Sequence, residues 1–374
     1  MDLLLNSGIE FSTATLRPVG ASTPATCPFD ATALIDIAKH SRFRNVWISG
    51  TDPSRPRESR PQTAEPPTSR AAPTPHRDDP KARHDDPGST SYDPAVIAGS
   101  LARVDPTMDL GIVGQLGEPP RSDYSGNPGS PGNSGNSRES RESRESGGLR
   151  HPGLYARDIS TLSLLTPRQV RLLLSCDPLR VRVDSDRTER ARRLCEAVRI
   201  CSLLLDGRES TLAGEYYSVK RASNKPALNR AARECLAVDL SSLDETGLGS
   251  SETSYREAIK LVINKVGDRV GLAVGSGDAD VAIYASETLA TRSHPDASPS
   301  PTLVWRLEWK RMSDDELVTT VIDLVDSGVA GFLFRVDQLT DSTLHDISAL
   351  GSLIASIADR LDRSGRSDRS GRFK

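Results

Sequence analysis

The feature that most constrains the fold of this chain is a repeated alternation of short apolar runs with amphipathic patterns. Short apolar runs favour strands, and apolar spacings of three and four residues favour helices. Their alternation is typical of a parallel sheet joined by crossover helices. Eight strands are expected, which is the number of a (β/α)8 TIM-type barrel, although one of the last four also suits an additional element. They lie near residues 9–15, 45–49, 109–113, 170–175, 235–240, 270–274, 303–309 and 331–336.

Three helices have clear sequence signals. The pattern at 188–206 carries one apolar stripe, and Gly207 stands where a helix commonly ends in a left-handed glycine. Ser313 and Glu316 form a capping box that should open a later helix. A last amphipathic pattern, at 344–361, predicts a helix that closes the barrel.

Three segments have compositions that predict disorder. Residues 51–92 contain nine prolines and no Val, Ile, Leu, Met, Phe or Trp. Residues 117–149 are rich in Gly, Ser, Asn and Pro and hold three copies of the triplet Arg-Glu-Ser, and the tail, 363–374, continues a second short repeat. Such segments bury too little apolar surface to offset the entropy lost on ordering. The remaining residues, roughly 290, suit a single barrel domain spanning 1–362 with two disordered insertions.

Charge and cysteine content exclude several classes of protein. A net charge of −3 argues against a nucleic-acid surface, which normally needs a basic face. The sequence has no apolar run of about 18 residues, so no membrane span is expected. The five cysteines include no C-x-x-C pair. A disulfide framework or a zinc site is therefore unexpected, and a reducing, cytoplasmic location fits.

The segment 151–219 carries the most specific sequence pattern. It opens with His-Pro-Gly-Leu-Tyr, passes through an apolar run and a long helix, and ends with Gly-Glu-Tyr-Tyr-Ser-Val. In this order the elements resemble the luciferase-like monooxygenase superfamily of flavin- and F420-dependent oxidoreductases. Other matching segments lie along most of the chain, except between about residues 225 and 300.

The resemblance implies a (β/α)8 barrel that binds FMN or coenzyme F420 and acts on a small organic substrate at its C-terminal face. It leaves open which cofactor is used, and it leaves a homodimer open as well. Functional side chains of such barrels lie just past the strand ends. That position singles out eight residues, namely Thr13, Ser49, Gly114, Glu118, Ser175, Cys176, Asp239 and Asp337.

The resemblance adds His151 and Tyr155 at the rim of the barrel. His151 is the candidate catalytic residue, because an imidazole can act as a general acid near neutral pH. The alternative is a junction between a loop and a helix at Pro152. Cys176 is more simply a small, partly buried residue than a nucleophile, because no histidine partner is indicated.

A flavin needs an apolar slot, hydrogen bonds along its pyrimidine edge and donors for its phosphate. Thr13, Ser49, Gly114 and Ser175 are predicted to contact it through hydroxyl groups and backbone amides. The alternative for the two serines is an ordinary helix cap or turn.

Gly275 and Gly277 lie between an apolar run and a helical pattern, which suits a phosphate-binding loop. The spacing is neither G-x-G-x-x-G nor a Walker sequence, so an ordinary turn is the alternative. Trp305 and Trp309 share one face of a strand, where core packing is favoured over ring stacking with a ligand.

Three functions remain open from the sequence. The first is a flavin- or F420-dependent oxidoreductase or monooxygenase. The second is a non-catalytic barrel that binds a ligand or a protein partner. It is suggested by bulky residues at 173–176, where the resemblance implies glycines. The third is an unrelated α/β protein that binds a nucleotide through Gly275 and Gly277.

Overall fold

The computed structural model describes only part of the chain, including all of the predicted strands in whole or in part. The described residues are 3–12, 35–36, 39, 42–50, 93–116, 150–176, 187–244, 252–292, 299–308, 312–336 and 343–370. The insertions predicted at 51–92 and 117–149 lie outside these residues, and their disorder stays a prediction.

Ten strands are present in the described residues, and eight of them form a closed parallel barrel. They are β1 (Gly8–Ser12), β2 (Asn45–Ser49), β3 (Asp109–Leu116), β4 (Val170–Cys176), β5 (Ser210–Ala213), β6 (Ser218–Ala222), β7 (Leu236–Asp239), β8 (Leu272–Gly275), β9 (Thr302–Leu307) and β10 (Gly331–Val336). The barrel order is β1-β10-β9-β8-β7-β4-β3-β2. All eight predicted strands belong to it, which confirms the TIM-type fold.

The helices of the described residues include the crossovers that surround the barrel. They are α1 (Leu3–Asn6), α2 (Pro94–Val104), α3 (Pro152–Leu162), α4 (Arg187–Leu205), α5 (Ala232–Cys235), α6 (Glu252–Val266), α7 (Ala279–Thr291), α8 (Asp314–Asp326) and α9 (Thr343–Ser370), with a 3-10 turn at Ser241–Leu243. Gly207, after α4, has a φ of 73°, as its predicted role requires. The capping box of Ser313 and Glu316 is also formed at the start of α8.

The last helix differs from the sequence expectation. Helix α9 continues to Ser370, into the segment whose composition predicts disorder. Asp359 and Arg363 are four residues apart, and the Arg363 Nε donates to the Asp359 carbonyl over 3.2 Å. This contact joins the last turn of the predicted helix to a residue beyond position 361.

The core has two layers, because successive side chains of a strand point to opposite faces. The larger layer packs the outer faces of the strands against the helices. The smaller layer fills the inside of the barrel with Trp47, Val113, Leu173, Ala237, Leu272, Val274, Val304 and Leu333. A Cβ atom at Gly111 would lie 2.1 Å from the Trp47 ring, so the indole can cross the barrel interior only over a glycine.

A β-hairpin that the sequence analysis did not predict follows α4. Strands β5 and β6 pair antiparallel outside the barrel. Its turn is bound to α4, where the Glu196 carboxylate accepts backbone N–H groups of Glu215, Tyr216 and Tyr217 over 2.5, 2.8 and 2.9 Å. The Gly-Glu-Tyr-Tyr sequence near the end of the segment 151–219 therefore forms a turn that is anchored by one carboxylate.

Candidate functional site

The C-terminal mouth of the barrel is lined by polar side chains. Successive side chains of a strand point to opposite faces. Each polar side chain of the mouth is either two positions from an interior apolar residue or next in sequence to an outward-facing one, so it lies on the interior face of its strand. We call this set the polar mouth; it consists of Glu10, Ser12, Ser49, Gln115, Ser175, Asp239, Arg306 and Arg335. The barrel thus has an apolar filling with a ring of hydrogen-bonding groups above it.

Arg306 is the centre of a buried ion-pair network in the polar mouth. Its Nε donates to Glu10 Oε2 over 3.1 Å. Its Nη1 lies 3.1 Å from Asp239 Oδ2 and 2.6 Å from the Ser241 hydroxyl. Glu10 is on β1, Asp239 ends β7 and Arg306 is on β9. None of these three strands adjoins another in the barrel order, so the guanidinium group spans the barrel interior.

The network holds Arg306 as a charged group with a fixed orientation. The side chains of Asp239, Glu10 and Arg306 are 2%, 4% and 15% exposed. Burial lowers the pKa of the Arg306 guanidinium, but the carboxylates of Asp239 and Glu10 more than offset it, so the pKa lies above its usual value. Asp239 also accepts the backbone N–H of Ser241 over 3.1 Å. The mouth therefore presents a permanent cation that two carboxylates hold in place.

Two of the predicted cofactor contacts lie in the polar mouth. Ser49 and Ser175 are both buried at the upper ends of their strands. The Ser49 hydroxyl lies 3.5 Å from the Phe11 carbonyl, a weak contact that leaves it able to bond a ligand. Leu173 belongs to the apolar filling below Ser175, whereas Leu174 packs in the outer layer. Strand β4 therefore contributes the Ser175 hydroxyl group to the mouth, while Leu173 and Leu174 pack elsewhere.

Gly114 faces the helices rather than the barrel interior. A Cβ atom there would lie 3.1 Å from the rings and side chains of Tyr155 and Leu172. The Tyr155 hydroxyl donates to the Gln115 carbonyl over 3.0 Å. Gly114 thus lets α3 pack closely on β3, and contact with a cofactor stays a prediction.

Gly275 and Gly277 also have structural roles. A Cβ atom at Gly275 would lie 2.2 Å from the buried ring of Trp305, whose Nε1 donates to the Gly277 carbonyl over 3.0 Å. The Asp278 carboxylate caps α7 by accepting from Val281 N over 3.1 Å. A carboxylate at a helix N-terminus competes with a phosphate for the same N–H groups. These contacts favour the ordinary turn, and phosphate binding stays a prediction.

His151 lies at the rim, where it is the N-cap residue of α3. Its Nδ1 accepts the Gly153 N–H over 3.1 Å, and it has a further hydrogen bond with the backbone of Ser218. The Tyr217 ring packs edge-on against it at 5.8 Å between centroids. Burial lowers the pKa of His151, while the contact with Ser218 raises it in part. A neutral imidazole therefore links α3 to the hairpin, and its predicted catalytic role is untested.

Cys176 faces away from the polar mouth. It is fully buried in the outer layer, and its Sγ lies 3.5 Å from the Arg190 carbonyl. Burial raises the pKa of the thiol to about 12. The geometry agrees with a small packing residue, since a nucleophilic thiol needs a lowered pKa and access.

The remaining sequence candidates cannot be placed. Thr13, Glu118, Trp309 and Asp337 lie outside the described residues. Within the described ranges, no group of three or more His, Cys, Asp or Glu side chains could hold a metal ion. No helix in these ranges is both long and apolar enough to cross a membrane.

Sequence analysis named Asp239 but missed its partners. Glu10 and Arg306 are charged residues inside otherwise apolar strands, at positions that alternate with outward-facing core residues. A charge in such a position must be paired when it is buried. That signal could have identified both residues, although it could not have identified them as partners.

A groove of about 420 Å³ lies far from the polar mouth. Its lining comes from the segments 163–170 and 228–235, at the N-terminal end of β4. In (β/α)8 enzymes, chemistry belongs to the opposite face. The polar mouth is therefore the better candidate site.

Comparison with known proteins gives structural matches alone. No family model and no curated protein matches the sequence. Among solved structures, the chain is similar to EDTA monooxygenase (EmoA) from Chelativorans sp. BNC1, with a TM-score of 0.55, 11% sequence identity and 94% of each chain covered.

Two further solved structures carry a bound cofactor. An F420-dependent secondary alcohol dehydrogenase in complex with an F420-acetone adduct has a TM-score of 0.54 at 10% identity, with 95% of this chain and 99% of that chain covered. The oxygenating constituent of 3,6-diketocamphane monooxygenase from Pseudomonas putida, in complex with FMN, has a TM-score of 0.52 at 11% identity, covering 94% and 98%. At such identities the likeness shows a shared fold.

Proposed function

We propose that this chain is a divergent luciferase-like oxidoreductase that binds FMN or coenzyme F420 in the polar mouth and acts there on a small organic molecule. The observation that carries the proposal is the polar mouth itself, with a fixed guanidinium group and two buried serines above an apolar filling. The FMN- and F420-bound barrels that resemble this chain support the choice of cofactor.

The residues of the mouth fit the ring of such a cofactor. An isoalloxazine or deazaflavin ring needs an apolar surface on its face and hydrogen-bond donors along its pyrimidine edge. The apolar filling beneath the mouth includes Leu173, Val274 and Val304, and Arg306, Ser49 and Ser175 supply donors. When bound, the cofactor would supply the hydride or oxygen chemistry that side chains lack.

The protein's own residues would bind and orient. Arg306 carries a positive charge at all accessible pH values, so it would serve as a donor and a source of electrostatic stabilisation. Tyr155 and Cys176 have their pKa values raised by burial and would not exchange protons near neutral pH. His151 stays the candidate catalytic residue at the rim. Because burial lowers its pKa, the imidazole would act there as a neutral hydrogen-bonding group.

The experiment is a titration of the full-length protein with FMN and with F420, each oxidised and reduced, followed by fluorescence and melting temperature. Micromolar binding of one cofactor, with a higher melting temperature, is the expected result. A folded barrel that binds neither would refute the oxidoreductase proposal and favour a non-catalytic barrel that has a ligand or protein partner.

A further inference from the structure

Two nitrogens of the Arg306 guanidinium group, Nε and Nη1, donate hydrogen bonds within the protein, and the third, Nη2, does not donate to any described residue. All hydrogen bonds of its guanidinium group with described residues use Nε and Nη1, and they end on Glu10, Asp239 and Ser241. Nη2 has no hydrogen bond with any described residue, yet it is absent from the fully buried, unsatisfied atoms of these residues. Nη2 therefore keeps some accessible surface, and this agrees with the 15% exposure of the side chain.

The position of this nitrogen is fixed by the rest of the network. Asp239 and Ser241 lie at and just beyond the C-terminal end of β7, so the guanidinium group lies at the mouth of the barrel. Two carboxylates and a hydroxyl group hold its plane in one orientation. An oriented donor loses little rotational freedom when a ligand binds, and this is the condition for a strong anchoring contact.

The charges around Arg306 select the kind of acceptor. Glu10 and Asp239 carry two negative charges beside the one positive charge of Arg306. Arg335, which is opposite Glu10 in the strand register, brings the net charge of these four groups to zero. A carboxylate or phosphate would approach two carboxylates without a surplus of positive charge, which disfavours it. A neutral oxygen acceptor meets no such repulsion.

We propose that Arg306 Nη2 is the anchoring donor of the polar mouth and that it binds a neutral carbonyl oxygen in preference to an anion. This inference deepens the proposed function. It rests on that function where the carbonyl oxygen belongs to the cofactor. The first source is a pyrimidine carbonyl of the flavin or deazaflavin ring. The second is a ketone or amide carbonyl of the substrate.

The test uses three probes on the full-length protein. Lumiflavin presents the ring carbonyls without a phosphate, whereas benzamide and benzoate share a planar shape and differ in charge. Dissociation constants are measured for the wild type, for R306K and for R171K. The matched control, Arg171, is a partly buried arginine at the other end of the barrel interior, where it donates to Asn45 Oδ1 over 3.1 Å.

R306K should keep the charge and lose the Nη2 donor, weakening the binding of the anchored probe by about 10- to 100-fold. R171K should bind as the wild type does, and benzamide should bind the wild type more tightly than benzoate. A loss confined to lumiflavin identifies the ring carbonyl, and a loss confined to benzamide identifies the substrate carbonyl. Benzamide binding that depends on Arg306 in a protein that binds neither FMN nor F420 upholds the anchor and refutes the proposed function.

Three results would overturn the anchor. The first is equal binding of all probes by R306K and the wild type. The second is tighter binding of benzoate than of benzamide by the wild type. The third is a wild type that binds neither lumiflavin nor benzamide. If R306K does not fold by circular dichroism, S241A replaces it. That change removes the hydroxyl group 2.6 Å from Nη1 and keeps Arg306, so the anchored probe should bind about 3- to 10-fold more weakly. Unchanged binding by S241A would then overturn the proposal.

Discussion

Replacing Glu196 with Ala should loosen the hairpin that follows α4. The Glu196 carboxylate accepts three backbone N–H groups of the turn over 2.5 to 2.9 Å. A Cβ atom at Gly214 would lie 2.2 Å from Glu196 Oε1, so the carboxylate reaches the turn only because residue 214 is a glycine. The same turn holds Tyr217 against His151 at the rim. Loss of the carboxylate should therefore affect the hairpin and the rim together.

The magnitude follows from the three hydrogen bonds. A hydrogen bond to a charged group contributes about 1.5–3 kcal/mol. Because the turn is partly exposed and water can replace some of the contacts, the lower end applies and the three are not additive. E196A should lower the free energy of unfolding by about 3 kcal/mol, and E196Q, which keeps one oxygen acceptor, by about half of that. The melting temperature of E196A should fall by about 4–6 °C.

The assay is urea unfolding followed by circular dichroism, with E209Q as the control. Glu209 is on the same hairpin and forms an ion pair of 3.5 Å with Arg221, with side chains 65% and 81% exposed. Such exposed pairs contribute little, so E209Q should stay within about 0.5 kcal/mol of the wild type. An E196A protein as stable as E209Q would refute the reasoning that one carboxylate anchors the turn.

Three further predictions concern other parts of the barrel. G111A places a Cβ atom 2.1 Å from the Trp47 ring and should cost at least about 1–3 kcal/mol of stability, measured by urea unfolding; a neutral effect would contradict the close packing. The folded-state pKa of His151 is lowered from 6.5, so the unfolded chain binds more protons between the two pKa values. The stabilisation is therefore complete above about pH 6.5 and lost as the pH falls through the folded pKa, and the pH dependence of melting in H151A should lack this component. The Cys176 thiol, with its pKa raised to about 12, should resist alkylation in the native protein at pH 8, and rapid labelling shown by peptide mass spectrometry would contradict its burial.

Much of the barrel could be predicted because its signals are local. Residues that recur at spacings of two, or of three and four, report which face of a strand or helix is buried. Ser313 and Glu316 lie within one turn, and Gly207 needs only its own backbone conformation. These local signals predicted the start of α8 and the end of α4, and both are confirmed. The helical end of α9 was not predicted, because its composition lacks an apolar stripe beyond residue 361.

The candidate site was predicted only in part. Ser49, Ser175 and Asp239 lie at the mouth as predicted, because residues at the ends of parallel strands meet at one face, and their contact with a cofactor stays a prediction. Gly114 and Cys176 were chosen by the same rule, yet strand alternation turns both toward the helices. The rule selects a position along the strand, and the face of the strand must be considered as well.

The sequence alone was enough for the alternation of strands and helices, and so for the class of fold, because neighbouring residues determine that pattern. The Gly-Glu-Tyr-Tyr motif is visible in the sequence, but the hairpin that it forms was not predicted, since Glu196 and the turn at 214–217 meet only after α4 has formed. The ion-pair network depended on closure of the barrel. Glu10, Asp239 and Arg306 are far apart along the chain, and their strands do not adjoin one another. Only a closed sheet brings such strands to face one another across an interior, where burial obliges the charges to pair.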